Sequence, residues 1–113
     1  MNTWLNQVIF TKNVSLLIDY INNSHFTVTF GECYRTPEQA ALNAKNGKGI
    51  TDSLHCKRLA IDLNLFALDG RYLTDKSDYE RFGTYWKSLN PANRWGGDFV
   101  HLVDSNHFEM QDL

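Results

Sequence analysis

The chain has 113 residues, 42% of them apolar, and sets 13 acidic against 11 basic side chains for a formal charge of −2. That length suits one domain, residues 1–113, with its own core, since disulfides or metals become near-obligatory for folding only below about 40 residues. The near-neutral charge, without a run of like charges, excludes a nucleic-acid binder working through a basic face, and no stretch approaches the roughly 18 apolar residues of a membrane span.

The first segment, Met1 to Phe10, lacks a basic start and an uninterrupted apolar stretch, so it does not read as a secretory signal, and synthesis in the cytoplasm is expected. Thr11 is the expected cap of a first helix in which Val14, Leu17, Ile18 and Ile21 recur at helical spacing. Phe26, Val28 and Phe30 alternate with Thr27 and Thr29, the pattern of a half-buried strand. Thr36-Pro37-Glu38-Gln39 supplies a cap, a proline at the first helical position and a glutamine at the third; the helix continues through Ala44 until Gly47-Lys48-Gly49 breaks it. From Leu59 to Phe66 the odd positions form an apolar face at period two, which places Asp62 and Asn64 on the opposite face of a strand. Asp69-Gly70 signals a tight turn and a hairpin. Ser77 to Glu80 reads as a capping box that opens a helix with Tyr79, Phe82, Trp86 and Leu89 on one face, closed by Asn90-Pro91. Trp95-Gly96-Gly97-Asp98 reads as a loop, and the remainder as loop plus a closing strand through His107 to Met110. The sum is an α+β domain with a small, mainly antiparallel sheet and flanking helices.

The cysteines, Cys33 and Cys56, make neither a CxxC pair nor a disulfide framework and read as free thiols. His55 precedes the 59–66 strand, and Asp62 follows it seven residues later on the polar face. A carboxylate on a central strand is costly to bury unless a metal or an arginine meets it. Asp104 and His107, three apart, offer a second carboxylate and imidazole, but Asp98 and His101 repeat that spacing. Two histidines and an aspartate would leave the fourth zinc position open for water. Spacing alone does not choose between the pairs, and no HExxH motif is present.

The ordered series Gly31-Glu32-Cys33-Tyr34-Arg35-Thr36-Pro37-Glu38-Gln39, Gly47 to Ile50, Ser53 to Phe66, Trp95 to Phe99 and Asp104 to Glu109 narrows the choice. It resembles the zinc D-alanyl-D-alanine carboxypeptidase and L-alanyl-D-glutamate endopeptidase family from about Phe10 to Glu109, phage endolysins and prophage lysis enzymes in particular. The resemblance implies a zinc D,D-peptidase-like (hedgehog-type) fold. The family's S-x-H motif with an aspartate seven residues on falls on Ser53, His55 and Asp62, and its closing D/E-x-x-H-F-E on Asp104, His107, Phe108 and Glu109. It thus implies Zn2+ on His55, Asp62 and His107, selecting His107 over His101 because Phe-Glu follows only the former. It implies Asp104 as general base and acid, with Glu109 competing for that role or orienting His107. The family's Y-R pair falls on Tyr34-Arg35 and implies that Arg35 binds the scissile carbonyl oxygen or a substrate carboxylate; the bland alternative is a surface pair with Glu32 or Glu38. Ser53 is expected to bond to substrate or to orient a ligand. Cys56, His25 and His101 are expected to be structural, and Trp95 either walls the cleft or anchors its loop. One departure is Arg58, where many members have glycine.

These implications make the expected protein a monomeric peptidoglycan peptidase acting on stem peptides. L-alanyl-D-glutamate endopeptidase is the first choice and D-alanyl-D-alanine carboxypeptidase the second. It would be made in the host bacterial cytoplasm and reach the cell wall after release by a holin or membrane damage. The reading from another class is a non-catalytic, zinc-stabilised binding or structural domain of a phage particle.

Overall fold

A computed structural model describes residues 3–47 and 53–112. The breaker residues Lys48 and Gly49, and Ile50 of the motif series, lie outside the described residues. The order of elements is α1 (Thr3–Asn22), β1 (Phe26–Phe30), α2 (Pro37–Lys45), a 3-10 turn (Leu54–Lys57), β2 (Ala60–Ala67), α3 (Lys76–Leu89), β3 (Asn93–Trp95), a second 3-10 turn (Gly96–Asp98) and β4 (His107–Met110). The strands form an antiparallel sheet in the order β1-β2-β4-β3. This is the α+β class expected.

Period-two alternation organises the sheet. On β2, Ile61, Leu63 and Leu65 are buried while Asp62 and Asn64 are only half-buried, so one face meets the core and the other carries polar groups. The apolar face packs with Phe10, Leu17 and Ile21 of α1, with Tyr79, Phe82 and Trp86 of α3, and with Phe108 and Met110 of β4. Trp86 sits edge-on to Phe10 at 5.5 Å and to Phe108 at 6.1 Å. Its indole Nε1–H lies 3.0 Å from the carbonyls of both Arg94 and Glu109, which ties α3 to β3 and β4. The Tyr79 hydroxyl donates to Leu73 O at 2.8 Å and accepts from Leu65 N–H at 3.0 Å, so its polar end is satisfied inside the core.

Several boundaries differ from the sequence-based expectation, each for a physical reason. Helix α1 starts at Thr3, and Thr11 is no cap: its hydroxyl donates to Gln7 O at 2.9 Å within the helix. The buried stripe of α1 includes Asn6 and Asn13, which interrupt the apolar period and conceal the first two turns. In α2, Thr36 Oγ accepts from Gln39 N–H at 3.1 Å as expected, but the Gln39 amide turns away to Asn43, so the box is half made. Helix α3 starts at Lys76 behind Asp75, which leaves Ser77 to Glu80 inside the helix and not at a capping box. Asp69-Gly70 does turn the chain, with Gly70 at φ 92°, yet the return leg pairs only through a Phe66–Tyr72 bridge. No full hairpin strand forms there because the chain leaves for α3.

The segment read as a loop at Trp95 holds the end of a strand and a 3-10 turn. β3 has three residues, too few for alternation to show, and takes its register from β4 and from Trp86. Trp95 is buried against Gly83 of α3, where a Cβ would come within 2.2 Å of the indole. Its Nε1–H donates to Ser105 O at 2.7 Å. Trp95 is therefore the anchor of its loop, and it is not among the residues lining the cleft described next.

Candidate metal centre

The polar face of the sheet assembles the site. Directly opposed residues on antiparallel strands point to the same side, and the β2–β4 register sets Asp62 opposite His107 and Ala60 opposite Glu109. Asp62, His107 and Glu109 therefore share the face turned away from the helices. The backbone of Asp62 is pinned beyond the end of β1, accepting from Gly31 N–H at 2.7 Å and donating to Glu32 O at 2.8 Å. His55 comes from the 3-10 turn just ahead of β2. Ser53 caps that turn, its hydroxyl oxygen accepting from His55 N–H at 3.2 Å.

These elements bring one ligand atom each from His55, Asp62 and His107 to within 4.8 Å of one another. His55 Nε2 lies 3.4 Å and His107 Nδ1 3.2 Å from the same Asp62 oxygen. The other nitrogen of each ring is occupied. Nδ1–H of His55 donates to Cys33 O at 3.1 Å, and Nε2–H of His107 donates to Glu109 at 2.7 Å. Those partners orient both rings from behind, so the nitrogen that each turns toward Asp62 can carry a proton to that carboxylate or, with the proton displaced, ligate a metal ion. Glu109 is thus an orienting group for His107, and Arg94, 2.5 Å from its second oxygen, holds it in turn.

The electrostatics favour a cation at the point of convergence. Burial pushes the Asp62 carboxyl upward, but hydrogen bonds from His107 and His55 outweigh this and hold it down at about 2. Burial disfavours a charged His107, yet Asp62 and Glu109 on either side raise it to about 9. Glu109 is likewise lowered despite burial, first by its bond to His107. Carboxylates crowd two imidazoles here, so the pocket holds positive charge in some form, a proton or a metal ion. Two imidazoles and one carboxylate, with both rings oriented from behind, fit a zinc ion with an open position.

A cleft of about 820 Å³ opens over this group, and its lining includes Arg35, Ser53, Asp104 and His101 besides the three ligand candidates. Asp104 Oδ2 is 4.0 Å from His107 Nδ1. Burial first, and then the negative charge of Asp62, raise the Asp104 carboxyl above the usual carboxylate range, the direction suited to a proton shuttle. Gly96 sets its position: the Gly96 carbonyl accepts from both Phe99 N–H at 3.2 Å and Asp104 N–H at 3.0 Å. A Cβ on Gly96 would meet the Asp104 carbonyl oxygen at 2.1 Å, so only glycine permits this closure.

Arg35 reaches the cleft and is at the same time paired with Glu32 through both Nε and Nη2. The two readings of Arg35, substrate ligand and surface pair, are thus present together. His101 is exposed on the cleft wall and lies outside the three-residue group. Cys33 and Cys56 are free thiols. Arg94 had no signal in the sequence, because its relation to Glu109 exists only through the β3–β4 register. Leu102 and Val103 on the wall were equally hidden, being exposed apolar residues of an irregular loop.

Residues 46–110, more than half of the chain, match a family model described as D-alanyl-D-alanine carboxypeptidase. Among solved structures, the crystal structure of the Serratia marcescens L-Ala D-Glu endopeptidase ChiX is similar, with a TM-score of 0.75. The likeness covers 90% of this chain and 77% of that one at 17% identity, and so is one of fold. No curated protein matches the sequence. The matched segment contains His55, Asp62, Asp104, His107 and Glu109, while Arg35 and Glu32 precede it.

Proposed function

We propose that this chain, which belongs to the D-alanyl-D-alanine carboxypeptidase family of peptidases, is a zinc-dependent peptidoglycan hydrolase that cuts the L-alanyl-D-glutamate bond of stem peptides. The observation that carries the reading is the convergence of His55, Asp62 and His107 beneath a cleft that also holds Asp104 and Arg35. A zinc ion held by those three side chains would supply a Lewis acid and an activated water near neutral pH. The remaining roles belong to the protein. Asp104 takes the proton of the attacking water and passes it to the departing amine. Arg35 offers fixed N–H donors to the oxygen on which negative charge develops. Ser53, with its oxygen engaged by His55 N–H, keeps its own hydrogen for a donor bond inside the cleft. Glu109 and Arg94 hold His107 in place.

The endopeptidase specificity is supported by the named activity of the ChiX enzyme, whose fold this chain shares. The family description favours D-alanyl-D-alanine carboxypeptidase as the second reading. We extend the proposal to a monomeric lysis enzyme of phage or prophage type that reaches the wall once the host membrane is breached.

The test is clearing of outer-membrane-stripped bacteria, with mass analysis of the released muropeptides. The wild type with zinc is expected to clear the suspension and to leave new L-alanine C-termini; release of D-alanine instead selects the carboxypeptidase. Chelation abolishes clearing, and Asp104→Ala reduces it by about 10²- to 10⁴-fold, as expected for loss of a general base. Clearing that survives both treatments rejects the mechanism, and neither clearing nor D-alanine release in any sample favours a non-catalytic domain.

A further inference from the structure

The mechanism uses Arg35 but leaves open what holds its guanidinium at the reaction centre, since arginine is long and free to turn. From the contacts at the mouth of the cleft we infer that Glu32 is a positioning residue for Arg35, a role that rests on the peptidase reading above. Glu32 is held at the level of its own backbone, its carbonyl accepting from Asp62 N–H at 2.8 Å. Its carboxylate is therefore built onto the same strand junction that carries a metal ligand. Both of its oxygens engage Arg35 along one edge, through Nε at 3.1 Å and through Nη2. That edge-on, two-point pairing fixes the plane of the guanidinium as well as its place. It leaves the Nη1 edge with no partner among the described residues.

The two residues also divide the space between them. Arg35 lines the cleft, whereas Glu32 is not among the lining residues. The guanidinium thus reaches the cleft with N–H groups that Glu32 does not engage. Backbone contacts reinforce this, because Arg35 N–H donates to His55 O at 3.3 Å and Cys33 O accepts from the His55 ring. The Gly31–Arg35 segment is thereby moored to two metal-ligand candidates, and Glu32 aims its last side chain.

A competing role is visible in the same geometry. Glu32 Oε1 lies 3.7 Å from His55 Nε2, so it could act at the ion and not through Arg35. A double-mutant cycle separates the two. Glu32→Ala, Arg35→Ala, the double variant and the near-isosteric Glu32→Gln are assayed on muropeptides for kcat and KM. Zinc affinity of each is measured by competition with a chelating dye. Glu32→Ala is expected to lower kcat/KM about 10- to 100-fold, the scale for a misplaced positioning group. Glu32→Gln, which keeps one acceptor, recovers part of the loss. The double variant matches Arg35→Ala alone, and zinc affinity is unchanged throughout. An equal loss from Glu32→Ala in the Arg35→Ala background, a fall in zinc affinity in step with activity, or wild-type kinetics for both Glu32 variants would each overturn the role. An inactive wild type instead overturns the peptidase reading on which the role stands, so the two failures are distinct.

Discussion

At the residue scale, Arg58 shows how a departure from the family pattern is accommodated. It caps the 3-10 turn at φ 58°, in the left-handed region that favours glycine, the residue that the family resemblance leads one to expect there. Its guanidinium lies 4.1 Å from the centre of the Tyr34 ring. The strain of a left-handed non-glycine residue, about 1–2 kcal/mol, is opposed by a cation–π contact of about 0.5–1 kcal/mol and by glycine's extra entropy cost of about 0.5–1 kcal/mol. Arg58→Gly is therefore expected to change stability by less than about 1 kcal/mol in urea denaturation; a loss of several kcal/mol would show that the Tyr34 contact carries more than a surface pair. The six site residues themselves were legible only through their motif series. The D-x-x-H spacing occurs twice, and nothing in composition separates Asp104/His107 from Asp98/His101. What separates them physically is strand register, since His107 is opposite Asp62 whereas His101 stands on an exposed loop. The pairing of Arg35 with Glu32 was visible only as one alternative, because sequence does not tell which way an arginine turns.

At the element scale, the sequence was clearest where a period was long and unbroken. β2 and the apolar face of α3 were plain, for their buried positions are filled by large apolar residues at regular spacing. The start of α1 was hidden by two buried asparagines, and β3 by its three-residue length. The contact between α3 and β3 supplies a test of how tightly these elements are fitted. Gly83 faces the Trp95 indole with no room for a methyl group. Gly83→Ala should improve intrinsic helix propensity by about 1 kcal/mol, yet overpacking of this kind typically costs about 1–3 kcal/mol. Here the added carbon would lie 2.2 Å from a buried ring, so the upper end applies and the balance is destabilising. A lowered Tm is the expected outcome; a raised Tm would mean that the indole can shift without cost.

At the scale of the whole molecule, the proposed metal centre would link stability to pH with opposite signs in its two states. In metal-free protein, His107 is raised from 6.5 to about 9. Its contribution is complete below its unfolded value and is lost as pH climbs through its folded one. Asp62 is lowered from 3.8 to about 2, so its contribution is complete above 3.8 and lost as pH falls through 2. Chelator-treated protein is therefore expected to be most stable between about pH 4 and 6.5 and to weaken toward pH 9. Zinc reverses the alkaline limb, because the ion must displace the His107 proton and binding tightens as pH rises. Denaturation midpoints between about pH 5.5 and 8, with zinc and with chelator, should move in opposite directions. Parallel curves would show that the ion does not bind at this triad.

The alternation along β2 has a last consequence. Ile61, Leu63 and Leu65 belong to the core, while Asp62, between the first two, belongs to the candidate metal site. Sliding that strand by one position against its neighbours would turn the carboxylate inward and the aliphatic groups to water. Folding and assembly of the candidate site are thus decided by the same odd–even choice, and a misaligned molecule forfeits both at once. Turnover per mole of chain consequently counts correctly paired sheets.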